Sequence, residues 1–264
     1  MKLRISDSLC AFALLTIAST APAATVTWDG DAADGLWDTA TNWDGNTLPA
    51  AGDDVFISNG DSVASTEFNT RYSITLSGSS SLTDPVTSFA GGVFRAGGAT
   101  INVGNGSTLG SGGFWDLQNA TLNFEDGATV NMGHWEQKDT NSFNFSLSAS
   151  GFTAITPGAF RIGNGGLPAN IANATYSVDM ASYNGGIGTI VLADFASDAF
   201  GMNDATFQGA GGLNVLNPGG YTANLQWNDT TEAIELNITA VPEPSAMLLL
   251  GLAGLGFCRR RRRR

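Results

Sequence analysis

Lysine is almost missing from this chain: Lys2 and Lys138 are the only two in 264 residues. Six of the 12 basic residues are the arginines at the very end, Arg259, Arg260, Arg261, Arg262, Arg263 and Arg264. Between Ala24 and Ala240 only Arg71, Arg95, Lys138 and Arg161 are basic, against 22 acidic residues. That stretch carries a net charge of −18, where the whole chain carries −12. So acidic a surface repels nucleic-acid phosphates and anionic headgroups, and no nucleic-acid partner is expected. Cysteine is equally scarce. Cys10 and Cys258 both fall in terminal segments, which excludes a small disulfide-stapled scaffold and leaves core burial to hold the middle together. Histidine is reduced to His134, too little for the usual zinc spacings or for more than one Ser-His-Asp arrangement. There is no G-x-S-x-G elbow, Walker loop or dinucleotide fingerprint, and no enzyme is expected.

The two ends read as processing segments. Residues 1–23 open with Lys2 and Arg4, run apolar from Leu9 to Leu15, and close on Ala21-Pro22-Ala23. That order predicts a secretory signal helix cleaved after Ala23, with Ala24 as the alternative; Ala21 and Ala23 are the small residues of the cleavage site. At the other end, Ala246 to Cys258 is a thirteen-residue apolar run followed directly by the six arginines. As a helix it spans roughly 20 Å, against about 30 Å for the hydrocarbon core of a bilayer. The arginines rule against burial in a protein core and favour a cytoplasmic position. The segment therefore reads as a short, marginal transmembrane helix with its C-terminus inside.

Long helical stripes are also lacking between these ends. The best helix candidate, 194–202, is short and broken by Gly201. What is present instead is period-two alternation: Tyr72/Ile74/Leu76, Phe143/Phe145/Leu147 and Tyr176/Val178/Met180, the mark of strands with one buried face. Three segments share one pattern: Ala99-Thr-Ile-Asn-Val, Ala120-Thr-Leu-Asn-Phe and Ala128-Thr-Val-Asn-Met. Their starts suggest one coil, then a strand–turn–strand step. "NATYSV" (173–178) and "NDATFQ" (203–208) are looser echoes. Gly-rich turns separate the strands. Tyr221 to Trp227 and Ile234 to Ile238 read as a hairpin, with Gly188 to Leu192 as a further strand. The predicted class is all-β: a short right-handed parallel β-helix (solenoid) over 24–240, with a β-sandwich as the runner-up. Trp28, Trp37 and Trp43 are expected to close one end of the stack.

The tail carries a resemblance. Val241-Pro242-Glu243-Pro244, an apolar helix (245–258) and a terminal basic cluster resemble the PEP-CTERM protein-sorting signal. The resemblance covers 241–264 and implies bacterial export and transient inner-membrane anchoring. It further implies processing near the motif by an exosortase-type transpeptidase, then delivery to the envelope, surface or extracellular matrix of exopolysaccharide-producing cells. A weaker resemblance covers 26–58: Trp28, Gly30, Trp37, Asn42, Trp43, Pro49, Gly52 and Asp53 sit as in the opening coil of autotransporter-like β-helix proteins. The expected partners are the export machinery, the exosortase, the membrane and exopolysaccharide.

Candidate chemistry is thin. Asp29, Asp31 and Asp34, beside glycine turns, supply oxygens at a spacing that would suit calcium, with solvated turn aspartates as the simpler reading. No other cofactor is expected. Trp115, Trp135 and Tyr183 are candidate glycan-stacking platforms, with core packing as the alternative. Glu125, Asp126, Glu136 and Asp139 are the carboxylates to weigh for glycoside hydrolysis, and Lys138, Arg95, Arg71 and Arg161 the bases a lyase would need. The reading is a non-enzymatic exported protein with a structural or adhesive role. Its rivals are a polysaccharide hydrolase or lyase and a carbohydrate-binding module.

Overall fold

The computed structural model describes residues 23–65, 72–84, 93–158, 160–162, 171–196 and 202–240. The signal segment through Pro22 and the tail from Val241 lie outside the described residues, as do the expected helices in them. No described helix is long and apolar enough to cross a membrane.

The chain is mostly strand. One sheet has eight strands in the order β1 (Thr25–Thr27), β2 (Asp54–Ile57), β4 (Ser73–Leu76), β7 (Thr100–Val103), β9 (Thr121–Glu125), β11 (Ser142–Ser146), β13 (Thr175–Asp179) and β15 (Gly212–Leu216). A second sheet is built from β3 (Ser62–Ala64), β5 (Ser81–Asp84), β6 (Val93–Gly97), β8 (Thr108–Gln118), β10 (Thr129–Lys138) and β12 (Phe160–Ile162). Every pairing within these two sheets is parallel. From β2 to β13 the chain passes back and forth between them, and each return lies beside the strand laid down before. The long strands β8 and β10 pair different partners along their two halves. β8 meets β5 through Ser81↔Thr108 and β6 through Phe94↔Trp115.

Register explains why this sequence stacks. In the eight-stranded sheet Val55, Ile74, Ile101, Leu122, Phe143, Tyr176 and Leu213 fall in one row. Ile57, Leu76, Val103, Phe124, Phe145, Val178 and Val215 fall in the other inward row. Side chains alternate across a strand, so both rows enter the core; all are buried except Leu213 and Val215 at the β15 end. Aromatic rings thicken the later layers: Phe143 stacks on Tyr176 at 5.1 Å and meets Trp135 at a tilt, 4.5 Å away. The outward row between them is polar. Asn102 donates to Thr75 (2.9 Å), Asn123 to Asn102 (2.6 Å) and Asn144 to Asn123 (2.8 Å). The residues of the last two pairs are 21 positions apart, the coil length first hinted at by the Ala-Thr-x-Asn-x repeats.

The corners need special residues. Gly106 and Gly127 hold φ of 73° and 82° in successive turns. A Cβ on Gly127 would come within 2.5 Å of the Asn105 amide nitrogen, so glycine is required there by both conformation and space. At the opposite corner Asn141 is fully buried. Its carboxamide accepts from Ala120 N–H (2.9 Å) and donates to the carbonyls of Leu117 (3.1 Å) and Lys138 (2.7 Å).

The tryptophan end forms as expected. Trp28, Trp37 and Trp43 are buried, and Trp43 meets the other two edge-on at 5.0 and 4.6 Å. Leu36 bridges Ala64 in parallel, covering the β3 edge that would otherwise expose unpaired backbone. At the far end β14 (Gly188–Asp194), β17 (Ala233–Ala240) and β16 (Thr222–Asn228) make a three-stranded antiparallel sheet. Phe195 ties it to the core between Trp135 (5.7 Å) and Trp227 (5.6 Å). The weak helix candidate at 194–202 opens on the last residue of β14, and one local expectation fails: "NDATFQ" is not a strand. Asp204–Phe207 is helical because the Asn203 side chain caps it by accepting from Thr206 N–H at 2.9 Å. An Asx cap outweighs a weak strand pattern there.

Candidate functional site

Three of the four basic residues between Ala24 and Ala240 come together on one half of the second sheet. Arg95 of β6 pairs in register with Asp116 of β8, Asp116 with Glu136 of β10, and Glu136 with Arg161 of β12. Neighbouring strands lie about 4.8 Å apart, so four successive positions span roughly 14 Å. Two positions along β10, Lys138 reaches back to Glu136 at 3.4 Å. His134 stands two positions the other way, in register with Phe114 and thence Val93. Trp135 and Gln137, on the alternate positions of β10, are fully buried, while Glu136 and Lys138 keep part of their surface. Glu136 and Lys138 therefore lie on the face of β10 turned away from the core.

By backbone register, the charges follow one another across the strands in the order basic, acidic, acidic, basic, on a stretch whose net charge is −18.

The carboxylates singled out from sequence separate. Glu125 accepts from Asn105 N–H (3.0 Å) and Asp126 from Thr153 N–H (2.6 Å); both hold stacked turns where β9 ends. Burial pushes the Asp126 carboxyl up, but the Ser148 hydroxyl and the Thr153 and Gly127 groups outweigh it and hold it below its ordinary value. Glu136 and Asp139 lie at the far end of β10, Asp139 in a turn with φ 56°. Glu136's register partner is Asp116, which the sequence reading passed over.

The proposed calcium aspartates are engaged otherwise. Asp34 accepts from Leu36 N–H (2.9 Å), the Thr39 hydroxyl (2.7 Å) and the buried Asn42 amide (2.6 Å), and these bonds hold its carboxyl below the usual range. Asp29 accepts from Asp31 N–H at 3.2 Å. Among the described residues no group of three or more His, Cys, Asp or Glu could hold a metal ion. The aspartates brace the tryptophan end instead.

Of the aromatic platforms, Trp135 is corrected outright: its ring is 0 % exposed and packs against Phe143 and Phe195. The register shift between Met132 and His134 explains the misreading. Val130 is buried before the shift, and Trp135 and Gln137 after it, so simple alternation from Val130 would have turned Trp135 outward. Tyr183 is half-buried, pairs with Tyr221 at 5.3 Å, and donates its hydroxyl to Gly186 carbonyl at 2.7 Å. Trp115 is placed by backbone register alone, between Phe94 and Trp135.

The terminal sites are reached only in part. Ala23 is exposed. Ala24 is held in place: its N–H donates to Asp53 at 3.1 Å and its carbonyl accepts from Asp54 N–H at 2.8 Å. Ala21, the motif Val241, Pro242, Glu243 and Pro244, and the arginine cluster Arg259 to Arg264 lie outside the described residues.

No curated protein and no solved structure matches the chain significantly. The family comparison does reach the segment that follows β17. Residues 240–263 match the PEP-CTERM protein-sorting motif, which implies an exported surface protein, carried to the cell envelope through a membrane-anchored intermediate and processed by an exosortase.

Proposed function

We propose that residues 24–240 form a short right-handed parallel β-solenoid that serves outside the cell as a structural or adhesive element, without catalysis. The sorting motif that begins at the end of β17 carries this reading. Parallel pairing throughout the two larger sheets supports a solenoid over a sandwich, whose sheets are antiparallel. Right-handedness follows from the strong bias of parallel crossovers. The thirteen apolar residues of the tail suit a temporary anchor better than a permanent one. Mature chains are expected to begin at Ala24, since its backbone is already paired with β2.

Cell fractionation tests the delivery. Producing cells are compared with and without residues 241–264, and the mass of the mature protein is measured. The full chain is expected first in the membrane, then at the surface or in the medium, shortened near Pro242–Pro244. An unclipped chain that stays in the membrane would leave only a plain anchor.

A second reading is a glycoside hydrolase. Its support is the register pairing of Asp116 with Glu136 on neighbouring strands, a backbone spacing close to the roughly 5–5.5 Å between the carboxyl groups of retaining enzymes. Release of reducing ends from polysaccharides, abolished by Asp116→Asn, would establish it.

A further inference from the structure

The structure assigns a partner to the open edge of the eight-stranded sheet: we infer that two copies of the chain join antiparallel through β15 into a dimer with two-fold symmetry. The inference rests on the structural reading of residues 24–240 and names what the domain assembles with.

Three observations carry it. First, the edge is open. Among the described residues β15 pairs with β13 alone. Gly212 N–H donates to the Ala174 carbonyl (3.1 Å), and the Leu216 carbonyl accepts from Met180 N–H (3.0 Å). Backbone groups alternate in direction along a strand, so those of Gly212, Asn214 and Leu216 turn to β13. Those of Leu213 and Val215 turn away from it. Second, the edge is unguarded. Edge strands are usually blunted by charge, proline or a bulge. Gly212–Leu216 has no charged residue or proline and follows β13 without a register shift. The tryptophan end is protected: Leu36 bridges Ala64 on β3, and Trp43 bridges Trp28 where β1 ends. A head-to-tail stack through β1 is therefore closed off.

Third, the strand is complementary to itself. A two-fold axis at Asn214 sets Leu213 of one copy opposite Val215 of the other, and each such pair exchanges both of its backbone bonds. Their side chains, half-buried against the core, join the two cores end to end. On the outward face the exposed Leu216 lies across from Gly212 of the second copy, where no side chain stands. Asn214 meets its own copy at the axis. Its amide donates to the Ser177 hydroxyl at 3.3 Å, and no described group donates to its side-chain oxygen. A carboxamide has a second N–H, so the two Asn214 side chains can bond each other and continue the amide ladder across the junction. Long-range repulsion between two −18 stretches opposes the contact, which leaves it to the backbone bonds and apolar side chains.

The full chain in mild detergent is tested by sedimentation from about 0.01 M to about 1 M salt. A monomer–dimer equilibrium should appear and strengthen as salt rises, the reverse of an association made by ion pairs. Val215→Pro removes an N–H with no bond inside the chain, and Asn214→Asp sets two carboxylates face to face. Each should weaken the dimer about tenfold or more and keep the wild-type melting temperature within a few degrees. Association through the apolar tail would ignore both. Register is read by cross-linking in a chain carrying Cys10→Ser and Cys258→Ser. Asn214→Cys should form an intermolecular disulfide, since opposed residues at such a site lie about 4.5 Å apart between Cα atoms. Thr121→Cys, in the middle of the same sheet, should not. A monomer at every salt concentration, a dimer indifferent to both edge variants, or equal cross-linking at 121 and 214 overturns the inference. A delivered and clipped chain that stays monomeric defeats this inference alone, whereas a dimer that is never exported defeats the delivery reading alone.

Discussion

The two parallel sheets share one core but use their outer faces differently. On the eight-stranded sheet the outward row runs through Thr75, Asn102, Asn123 and Asn144, and each asparagine donates to the residue one strand before it. Those amides complete the stack that carries them. On the six-stranded sheet the backbone register sets Arg95, Asp116, Glu136 and Arg161 on successive strands, with two carboxylate residues in neighbouring positions. A neutral amide has both donor and acceptor and can repeat indefinitely along a stack. A charged group has one or the other, so a row of charged residues cannot repeat as an amide ladder does.

The sharpest way to break this contrast is to remove the core beneath both faces. Phe143 is fully buried between Tyr176 and Trp135, and so joins the inward rows of the two sheets. Phe143→Ala should cost about 3–5 kcal/mol in a denaturant titration and take both faces with it. A cost well below 2 kcal/mol would mean that the sheets are held independently.

Asn141→Ala comes next. It strips a buried corner of the groups that satisfy Ala120 N–H and the Leu117 and Lys138 carbonyls. The expected loss is about 2–3 kcal/mol, since buried backbone groups left unpaired cost more than an ordinary hydrogen bond gains. Asn141 also ends the strand-to-strand connection that follows Lys138, so this variant should disturb the charged row. It separates a supporting corner from the ladder itself.

The ladder should behave more mildly. Asn123→Ala interrupts two amide bonds on a half-exposed face and should cost about 1 kcal/mol in the same titration. Glu136→Gln, which weakens the ion pair with Lys138, should change stability by under about 0.5 kcal/mol. A larger loss from Glu136→Gln than from Asn123→Ala would mean that the charged positions hold their sheet as firmly as the amides hold theirs.

Much of the scaffold could be read from the sequence, and the reasons for the gaps are specific. Alternation exposed β4, β11, β13 and the β16–β17 hairpin because one face of each is buried. The repeated Ala-Thr-x-Asn-x segments gave the coil length, but not which asparagines share a row. Asn102 and Asn123 do; Asn131 has the same local pattern yet lies in β10, in the other sheet. The charged row was harder still. Thr108 to Thr129 is a full coil step of 21 residues, while Asp116 to Glu136 is one residue shorter, because the register shift near Met132 intervenes. Scanning for opposite charges one coil apart would have found Arg95 and Asp116 but missed Glu136. Spacing alone could not choose between the two readings of the aspartates either: it shows which of them are near a turn, and only the folded tryptophan end shows that Asn42, Thr39 and Leu36 take up the oxygens of Asp34.

Asp126 provides the subtlest test, since it is a charge used the way the neutral ladder uses amides. Its carboxylate spans two turns by accepting from Thr153 N–H, and its carboxyl sits below the ordinary value because those hydrogen bonds outweigh burial. A folded-state value below the unfolded one, about 3.9, means that the ionised group stabilises the fold above that pH. The contribution disappears as pH falls through the lower, folded-state value. Asp126→Asn should therefore melt earlier than the wild type at neutral pH, by an amount worth at most about 1 kcal/mol. The two melting curves should begin to converge below about pH 4 and meet only below the folded-state value. A gap that stays constant to pH 2 would show that shape rather than charge holds this turn. Convergence would show that a carboxylate can join stacked turns as the amides of the ladder join stacked strands.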